Sequence, residues 1–207
     1  MNRSTTYKED FSSFPSNWSG HPDATVRDGT LSFKNERYAP ADDLCVSVWE
    51  HNVTSALLVT NRNDFDDFRM TVKARIVKGS VGLVLRYRGP SEYYMIQFDI
   101  GPSEHSDKAW FHCFSKRYES DYGMKRDIVP SVTVPTLGNW FYMAAEMSDH
   151  DIGLFFGLER DSMAKCAQWT DIDRTHDSGA VGFWESPGEH AEFRDLEVVP
   201  LDSQNTT

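Results

Sequence analysis

The stretch "DFRMTVKARIVKGSVGLVLRYRGPSEYYMIQFDI", residues 67–100, decides the fold because apolar and polar side chains alternate along it. From Phe68 to Ile76 every second residue is apolar, and similar runs return at 81–88 and 93–100. Alternation with a period of two is typical of strands that bury one face. Gly79 and the Gly89-Pro90 pair separate the three runs, so the stretch predicts a meander of three antiparallel strands.

Further strands are predicted on both sides of this stretch. Residues 108–118 alternate, residues 139–147 and 151–159 form one expected pair, and residues 179–186 and 191–201 form another. Residues 161–169 are the best helical candidate, although the segment is short. The chain therefore predicts an all-β fold, an antiparallel β-sandwich of the jelly-roll type. We expect a single domain over residues 1–207, with frayed ends at about 1–6 and 202–207.

Composition and charge exclude several classes of protein. Apolar residues make up 39% of the chain and the formal net charge is −11, with no basic block. A nucleic acid would be repelled at long range, and no apolar run approaches the ~18 residues of a membrane span. The first residues lack the apolar centre of a secretory signal, which predicts a cytoplasmic protein. A secreted mature form that has lost its leader is the alternative.

The three cysteines cannot all pair with one another. Cys45, Cys113 and Cys166 are far apart in the chain and show no CxxC spacing. Buried free thiols are the first interpretation, and one disulfide is the alternative for a secreted protein.

The ordered set of strands resembles the concanavalin A-like jelly rolls of the laminin-G type. The resemblance covers residues 65–201 and includes "LGNWFYMAAEM" and the closing segment "GAVGFWESPGEHAEFRDLEVVPL". Within that group the chain is most similar to the 3-keto-disaccharide hydrolase-like domains and to non-catalytic sugar-binding jelly rolls. The resemblance implies a substrate groove on one sheet.

The hydrolase-like domains carry an Arg, a Glu and a Gln in that groove, and the resemblance assigns two of them here. Arg86 and Gln97 match, whereas Met95 stands at the position of the Glu. Trp184 and Glu185 stand where the family's closing hairpin often carries Gln and His.

Polar side chains at alternate positions of neighbouring strands can converge on one ligand. Arg supplies a planar fork of donors, and Gln both donates and accepts, as recognition of a sugar requires. The alternative is a solvated sheet face with pairs such as Arg88 and Asp99. The predicted substrate-binding residues are Arg88, Tyr93, Gln97, Asp99, Trp184 and Glu185, and the predicted catalytic residues are Arg86 and His112.

Three functions remain open at this point. The first is a hydrolase or lyase of a sugar derivative, in which Arg86 orients the substrate and His112 moves a proton. The second is a non-catalytic carbohydrate-binding module, and the third is a small-molecule biosynthetic enzyme on the same scaffold. Glu185, Glu189 and Glu146 are carboxylates that glycosidase chemistry could use.

A structural Ca²⁺ is possible, because jelly rolls of this kind often hold one by Asp, Glu and backbone oxygens. The candidate ligands are Glu9, Asp10 and Asp195. No zinc-like spacing, phosphate-binding loop or dinucleotide fingerprint occurs.

Overall fold

The computed structural model describes residues 5–20, 23–35, 56–90, 92–99, 109–117, 121–129, 137–172, 174 and 176–201. For residues 109–117 and 121–129 it describes the backbone alone. The described residues form two antiparallel sheets that pack face to face, with one short 3-10 helix at Arg160–Ser162. The predicted antiparallel β-sandwich is confirmed.

The first sheet has eight strands in the order β13-β12-β11-β6-β15-β4-β3, with β1 paired to β15. Its strands are β1 (Tyr7–Glu9), β3 (Thr25–Arg27), β4 (Thr30–Lys34), β6 (Phe68–Lys78), β11 (Trp140–Ser148), β12 (Asp151–Gly157), β13 (Ala164–Thr170) and β15 (His190–Pro200).

The second sheet has seven strands in the order β10-β9-β8-β7-β14-β5-β2. Its strands are β2 (Trp18–Gly20), β5 (Ala56–Thr60), β7 (Ser80–Gly89), β8 (Glu92–Asp99), β9 (Ala109–Arg117), β10 (Asp121–Val129) and β14 (Ala180–Glu185).

The hydrophobic core fills the space between the sheets. Phe183 of the second sheet stacks on Phe193 of the first, with ring centroids 3.7 Å apart. Phe98 likewise meets Phe141 across the sandwich at 5.4 Å. These rings are fully buried and belong to the large apolar cluster that holds the two sheets together.

Two predicted hairpins are wrong, because each joins strands of different sheets. β7 and β8 pair as expected, but β6 belongs to the eight-stranded sheet and β7 to the seven-stranded sheet. The closing segment behaves in the same way, since β14 and β15 lie in opposite sheets. Alternation shows that a strand buries one face but does not show which sheet it joins.

The helical prediction for residues 161–169 is also wrong. Apart from the 3-10 turn at Arg160–Ser162, the segment is strand β13, which pairs with β12. Edge pairing to β12 and burial of Trp169 outweigh the weak local preference for helix. The predicted pair of 139–147 and 151–159 is confirmed as β11 and β12.

Among the residues that the structure describes, no helix has the length and apolar character needed to cross a membrane.

Candidate functional site

The seven-stranded sheet carries a second apolar cluster on the face that points away from the core. Five buried side chains form it, and the half-buried Leu57 and Tyr87 pack against them. The five are Val59 of β5, Val84 of β7, Tyr93 and Met95 of β8, and Trp184 of β14. We call this side of the sheet the outer face. Tyr93 and Trp184, two of the predicted substrate-binding residues, lie on this face.

Trp184 lies over Gly82 in the middle of this face. A β-carbon at Gly82 would stand 2.6 Å from the Trp184 carbonyl oxygen and 3.0 Å from both Cβ and Cε3 of Trp184, so only glycine leaves room for the backbone and side chain of Trp184. Gly82 pairs with Trp184 on one side and with Gln97 on the other. The indole is thus one strand away from the Gln97 amide.

A polar cluster occupies the end of the outer face next to Trp184. The Gln97 Nε2 donates to Ser80 Oγ at 2.6 Å and to Glu189 Oε1 at 3.4 Å. Ser80 Oγ donates to the same Glu189 oxygen at 2.7 Å, and the Ser186 backbone N–H donates to Glu189 Oε2 at 2.8 Å. Asp99 pairs with Ser80 in the strand register and is half-buried. We call Ser80, Gln97, Glu189 and Asp99 the polar end of the outer face.

Glu189 is the titratable group at the centre of this cluster. Burial raises its pKa to about 7, and the nearby charge of Asp99 acts in the same direction, against the hydrogen bonds from Ser80, Ser186 and Gln97. The side chain is half-buried rather than sealed. A carboxyl group with a pKa near neutral pH is poised to gain or lose a proton.

Glu185 is a fully buried carboxyl group behind Glu189. It pairs with Ala56 of the core face, and its exposed fraction is 0%. Neither of its carboxyl oxygens has a hydrogen-bond partner among the described residues. Burial, and secondly the charge of Glu189, hold the pKa of Glu185 well above its ordinary value.

The polar end lies where the chain crosses twice between the sheets. The β6–β7 turn and the β14–β15 connection are in contact, because a β-carbon at Gly79 would stand 2.6 Å from Glu189 Cγ. Gly79 has a φ of 79°, which also favours glycine at this turn. Asn35 fastens the connection by donating from Nδ2 to the Glu185 carbonyl and from its backbone N–H to the Glu189 carbonyl.

Two carboxylates on the other sheet, those of Glu192 and Glu146, are paired with cations. Glu192 forms an ion pair with Arg75, whose guanidinium lies over the Trp140 ring. Glu146 accepts from Arg69 at 3.1 Å. Within the described part of the chain no ion pair involves Glu185 or Glu189.

Arg86 has different partners from those expected of a substrate-orienting residue. Its exposed fraction is 1%, and its guanidinium donates to the carbonyls of Asp66, Asp149 and His176 at 2.7–2.9 Å. It also forms an ion pair with Asp67 at 3.1 Å. Burial lowers the pKa of Arg86, and the carboxylate of Asp67 opposes that shift.

A bulge in β7 explains why the Arg86 side chain does not lie on the outer face. Arg86 has a φ of 50°, and the register between β7 and β8 shifts between Leu85 and Gly89. A bulge reverses the alternation of faces. Arg86 therefore leaves the side of Val84, and Tyr87 takes its place on the outer face, 5.8 Å from the Tyr93 ring.

The remaining predicted residues do not all lie on the outer face. Tyr93 is buried near its far end, whereas the exposed Arg88 follows Tyr87 and is turned away from this face by the bulge. The register sets His112 of β9 opposite Gln97, while the His112 side chain lies outside the described part of the structure. The structure thus brings Gln97, Asp99 and Trp184 together on the outer face, whereas Glu185 is buried on the core side of β14 and Arg86 lies elsewhere.

The three calcium candidates do not form a binding group. Glu9 accepts hydrogen bonds from Phe11 N and Tyr7 Oη, and Asp10 accepts one from Ser12 N. Glu9 pairs with Leu196, one residue from the exposed Asp195. In the described ranges no three His, Cys, Asp or Glu side chains gather around a possible metal ion. The residues present therefore do not fit a calcium ion at this place.

Cys166 is the one cysteine whose side chain the structure describes, and it is a free thiol. Burial raises its pKa to about 12. Cys45 and the Cys113 side chain lie outside the described residues.

Sequence reasoning missed Ser80 and Asn35, and it named Glu189 only as one of several carboxylates. The sequence pattern makes Ser80 a turn residue, and Asn35 is 150 residues away in sequence from its partner Glu185. The one sequence feature that pointed to Glu189 was its closeness to Glu185 on the other side of a Pro-Gly turn.

Comparison with solved structures defines the fold. The VIP36 exoplasmic/lumenal domain in its Ca²⁺/Man-bound form superposes with a TM-score of 0.66 at 12% identity, covering 100% of this chain and 93% of that chain. The CBM2 module of the evolved Dit protein of Lactobacillus casei BL23 phage J-1 gives 0.63 at 12% identity, covering 96% and 98%. A prokaryotic β-1,3-1,4-glucanase (lichenase) from a mouse hindgut metagenome gives 0.60 at 14% identity, covering 95% and 100%.

The fold is a concanavalin A-like jelly roll. At sequence identities this low, the superpositions establish the fold and nothing about function. No family model matches the chain, and no curated protein matches it either.

Proposed function

We propose that this jelly roll binds a carbohydrate or glycoside at the polar end of the outer face and acts on it as a hydrolase or lyase. The observation that carries the proposal is the placement of the Trp184 indole over Gly82, next to a Gln97 amide held by Ser80 and Glu189.

The chemistry of these groups suits a sugar. A pyranose presents an apolar ring face beside hydroxyl groups that both donate and accept, and an aromatic ring next to an amide and a carboxylate meets both needs. Trp184 itself is buried, so a ligand first meets the half-buried Gln97, Glu189 and Asp99. Solved structures with this fold include the VIP36 exoplasmic/lumenal domain in a Ca²⁺/Man-bound form, a CBM2 module and a glucanase, which supports a ligand of this class.

The titration of Glu189 favours an enzyme. Its pKa of about 7 suits a group that accepts a proton at neutral pH. We therefore assign proton transfer to Glu189, in the connection between β14 and β15. His112 remains a second candidate because the strand register sets it opposite Gln97. Arg86 no longer has a role at the ligand, since backbone carbonyls and Asp67 occupy its guanidinium.

A non-catalytic carbohydrate-binding module is the alternative. Met95, which stands at the position of the family's Glu, is buried in the apolar cluster with Val84 and Trp184, so no carboxylate occupies that place. The third function, a small-molecule biosynthetic enzyme, uses the same groups on another ligand. Calcium and a cytoplasmic location both stay predictions.

A thermal-shift screen against sugars, 3-keto glycosides and CaCl₂, followed by mass analysis of each hit, tests the proposal. Gln97→Ala should abolish the shift, and Gln168→Ala, on an exposed position of β13 in the other sheet, should leave it intact. A ligand recovered altered supports the enzyme, and a ligand recovered unchanged supports the binding module. A shift that survives Gln97→Ala would show that the ligand binds elsewhere.

A further inference from the structure

The eight-stranded sheet carries a block of charged and aromatic side chains on the face that points away from the core. The block spans β15, β6 and β11, and all of its members are half-buried. One row across these strands is Glu192, Arg75 and Trp140, and the next row is Arg194, Lys73 and Tyr142. With three cations and one carboxylate, the block has a net charge of +2 in a chain whose net charge is −11. We call these six residues the cationic block.

Aromatic rings hold the cations of the block in place. The guanidinium carbons of Arg75 and Arg194 lie 4.7 and 4.6 Å from the centroid of the Trp140 ring. Lys73 Nζ lies 5.3 Å from the centroid of the Tyr142 ring. These contacts orient the cations before a ligand arrives, so binding should cost little side-chain freedom.

Lys73 and Arg194 have no counter-ion in the described structure. Arg194 stands directly opposite Lys73 in the register of β15 and β6, and like charges placed in this way repel each other. Arg75, by contrast, is neutralised by Glu192. Arg194 Nε donates to Thr30 Oγ1 at 2.7 Å, whereas its two Nη atoms and the Lys73 ammonium have no acceptor among the described atoms.

The carboxylates beside these two cations do not neutralise them. Glu197 is paired with Lys8 and Arg160. Asp195 follows Arg194 in the chain, but it is exposed, has a φ of 50° and joins no ion pair within the described ranges. An anion from solution would therefore relieve the repulsion between two cations that are already held in position.

A carboxylate attached to a sugar ring suits this block. Its two oxygens match the planar pair of Nη atoms of Arg194, and the Lys73 ammonium supplies a further charge-assisted hydrogen bond. The Tyr142 hydroxyl, which also has no described partner, can bond a sugar hydroxyl, and the rings of Tyr142 and Trp140 offer apolar contact. An inorganic anion would leave the rings unused, and a nucleic acid would be repelled by the net charge of −11.

We infer that the cationic block binds a uronic acid residue of an acidic saccharide, with the carboxylate between Lys73 and Arg194 and the sugar ring against Tyr142. The block lies on the opposite sheet from the polar end, so the inference is independent of the proposed function.

Titration calorimetry with trigalacturonate and with its methyl ester tests the inference. The two probes share their sugar rings and differ in the charge of their carboxyl groups. Trigalacturonate should bind at least about tenfold more tightly at pH 7, the advantage expected of charge-assisted hydrogen bonds. This advantage should shrink severalfold between about 50 and about 300 mM NaCl, because salt screens half-buried charges.

Lys73→Met and Arg194→Met should each weaken trigalacturonate binding about tenfold and leave the binding of the ester unchanged. Lys165→Met is the matched control, since it removes a cation from the same face of the same sheet. Lys165 lies over the Phe155 ring and donates to Gln168, and its loss should leave the affinity within about twofold of the unaltered value. If Arg194→Met fails to fold, Lys73→Met provides the same test, because loss of Lys73 removes a repulsion and should not lower the melting temperature.

The remaining outcomes each decide the question. Equal affinity for trigalacturonate and its ester, or an equal effect of Lys165→Met and Lys73→Met, overturns the inference. Sulfate or an oligothymidylate that binds as tightly as trigalacturonate overturns the saccharide as the ligand. Trigalacturonate binding that is lost in Gln97→Ala and intact in Lys73→Met overturns the site. Failure of neutral sugars to bind at the polar end, with trigalacturonate bound as expected, overturns the proposed function alone.

Discussion

Trp184 lies so close to Gly82 that a β-carbon there would stand 2.6 Å from the Trp184 carbonyl oxygen, 3.0 Å from Trp184 Cβ and 3.0 Å from Cε3 of its indole. Gly82→Ala should therefore displace the ring and cost about 1–3 kcal/mol of the free energy of unfolding, as overpacking does. Urea unfolding measures the cost, and near-ultraviolet circular dichroism reports the ring. Gly89→Ala is the matched control in the same strand, because a β-carbon there has no neighbour within 4 Å among the described atoms. Equal effects of the two substitutions would contradict the close approach.

Arg86 holds three loops together, and its loss should be costly. Arg86→Met leaves the carbonyls of Asp66, Asp149 and His176 without their donor and Asp67 without its cation. We expect a loss of about 3 kcal/mol in the free energy of unfolding, because several carbonyl acceptors lose the donor that a buried guanidinium supplies.

Arg88→Met is the control for Arg86→Met, because Arg88 is exposed two residues away. It should cost less than about 0.5 kcal/mol. If folded Arg86→Met protein keeps its stability but loses sugar binding, the substrate-orienting role first expected for Arg86 would return.

Tyr94 links the same region to the loop after β13. Its Oη donates to Asp171 Oδ2 at 2.5 Å and accepts from His176 N at 3.2 Å. Burial and the Asp171 contact raise the pKa of Tyr94 far above its ordinary value, so it stays a neutral donor. Tyr94→Phe should cost about 1–3 kcal/mol, while Tyr142→Phe, on the outer side of the other sheet beside Lys73, should cost less than about 0.5 kcal/mol. A cost for Tyr94→Phe as small as that of the control would show that the hydroxyl contacts contribute little.

Glu189 should make the stability of the protein depend on pH. Its folded-state pKa of about 7 lies above the ordinary value of 4.5, so the folded state binds more protons in between. This contribution to stability is fully present below pH 4.5 and disappears as the pH rises through 7. Because the side chain is half-buried, we expect a loss of about 1–2 kcal/mol rather than the full linkage energy.

Glu189→Gln should flatten this dependence and be the more stable protein at pH 8, as measured by urea unfolding from pH 4 to pH 8. Glu146→Gln should keep the slope of the unaltered protein. A slope that persists in Glu189→Gln would assign the titration to Glu185 instead.

Period-two alternation predicted the strands well because each buries one face. In β8 the alternation separates Tyr94 and Ile96 of the core from Tyr93 and Met95 of the outer face, as the structure shows. The sandwich and the position of Gln97 follow from that pattern alone.

The pattern failed where the backbone departs from a regular strand. The φ of 50° at Arg86 reverses the faces of β7 from that residue onward, and the local sequence offers no glycine there to mark it. Gly79 marks a turn, but a turn residue does not reveal that the next strand joins the opposite sheet. The contacts of Ser80 and Asn35 with the closing connection depend on those crossings, so they were out of reach of local sequence patterns.

The contact between Gly79 and Glu189 places the polar end at the join between the two sheets. Gln97 belongs to the seven-stranded sheet, and Glu189 precedes the first residue of β15 in the eight-stranded sheet. A ligand bonded to both residues would act as a non-covalent cross-link between the sheets. Ligand binding should consequently slow amide hydrogen exchange at both crossings, around residues 79–81 and 186–190, more than at the distant edge strand β13.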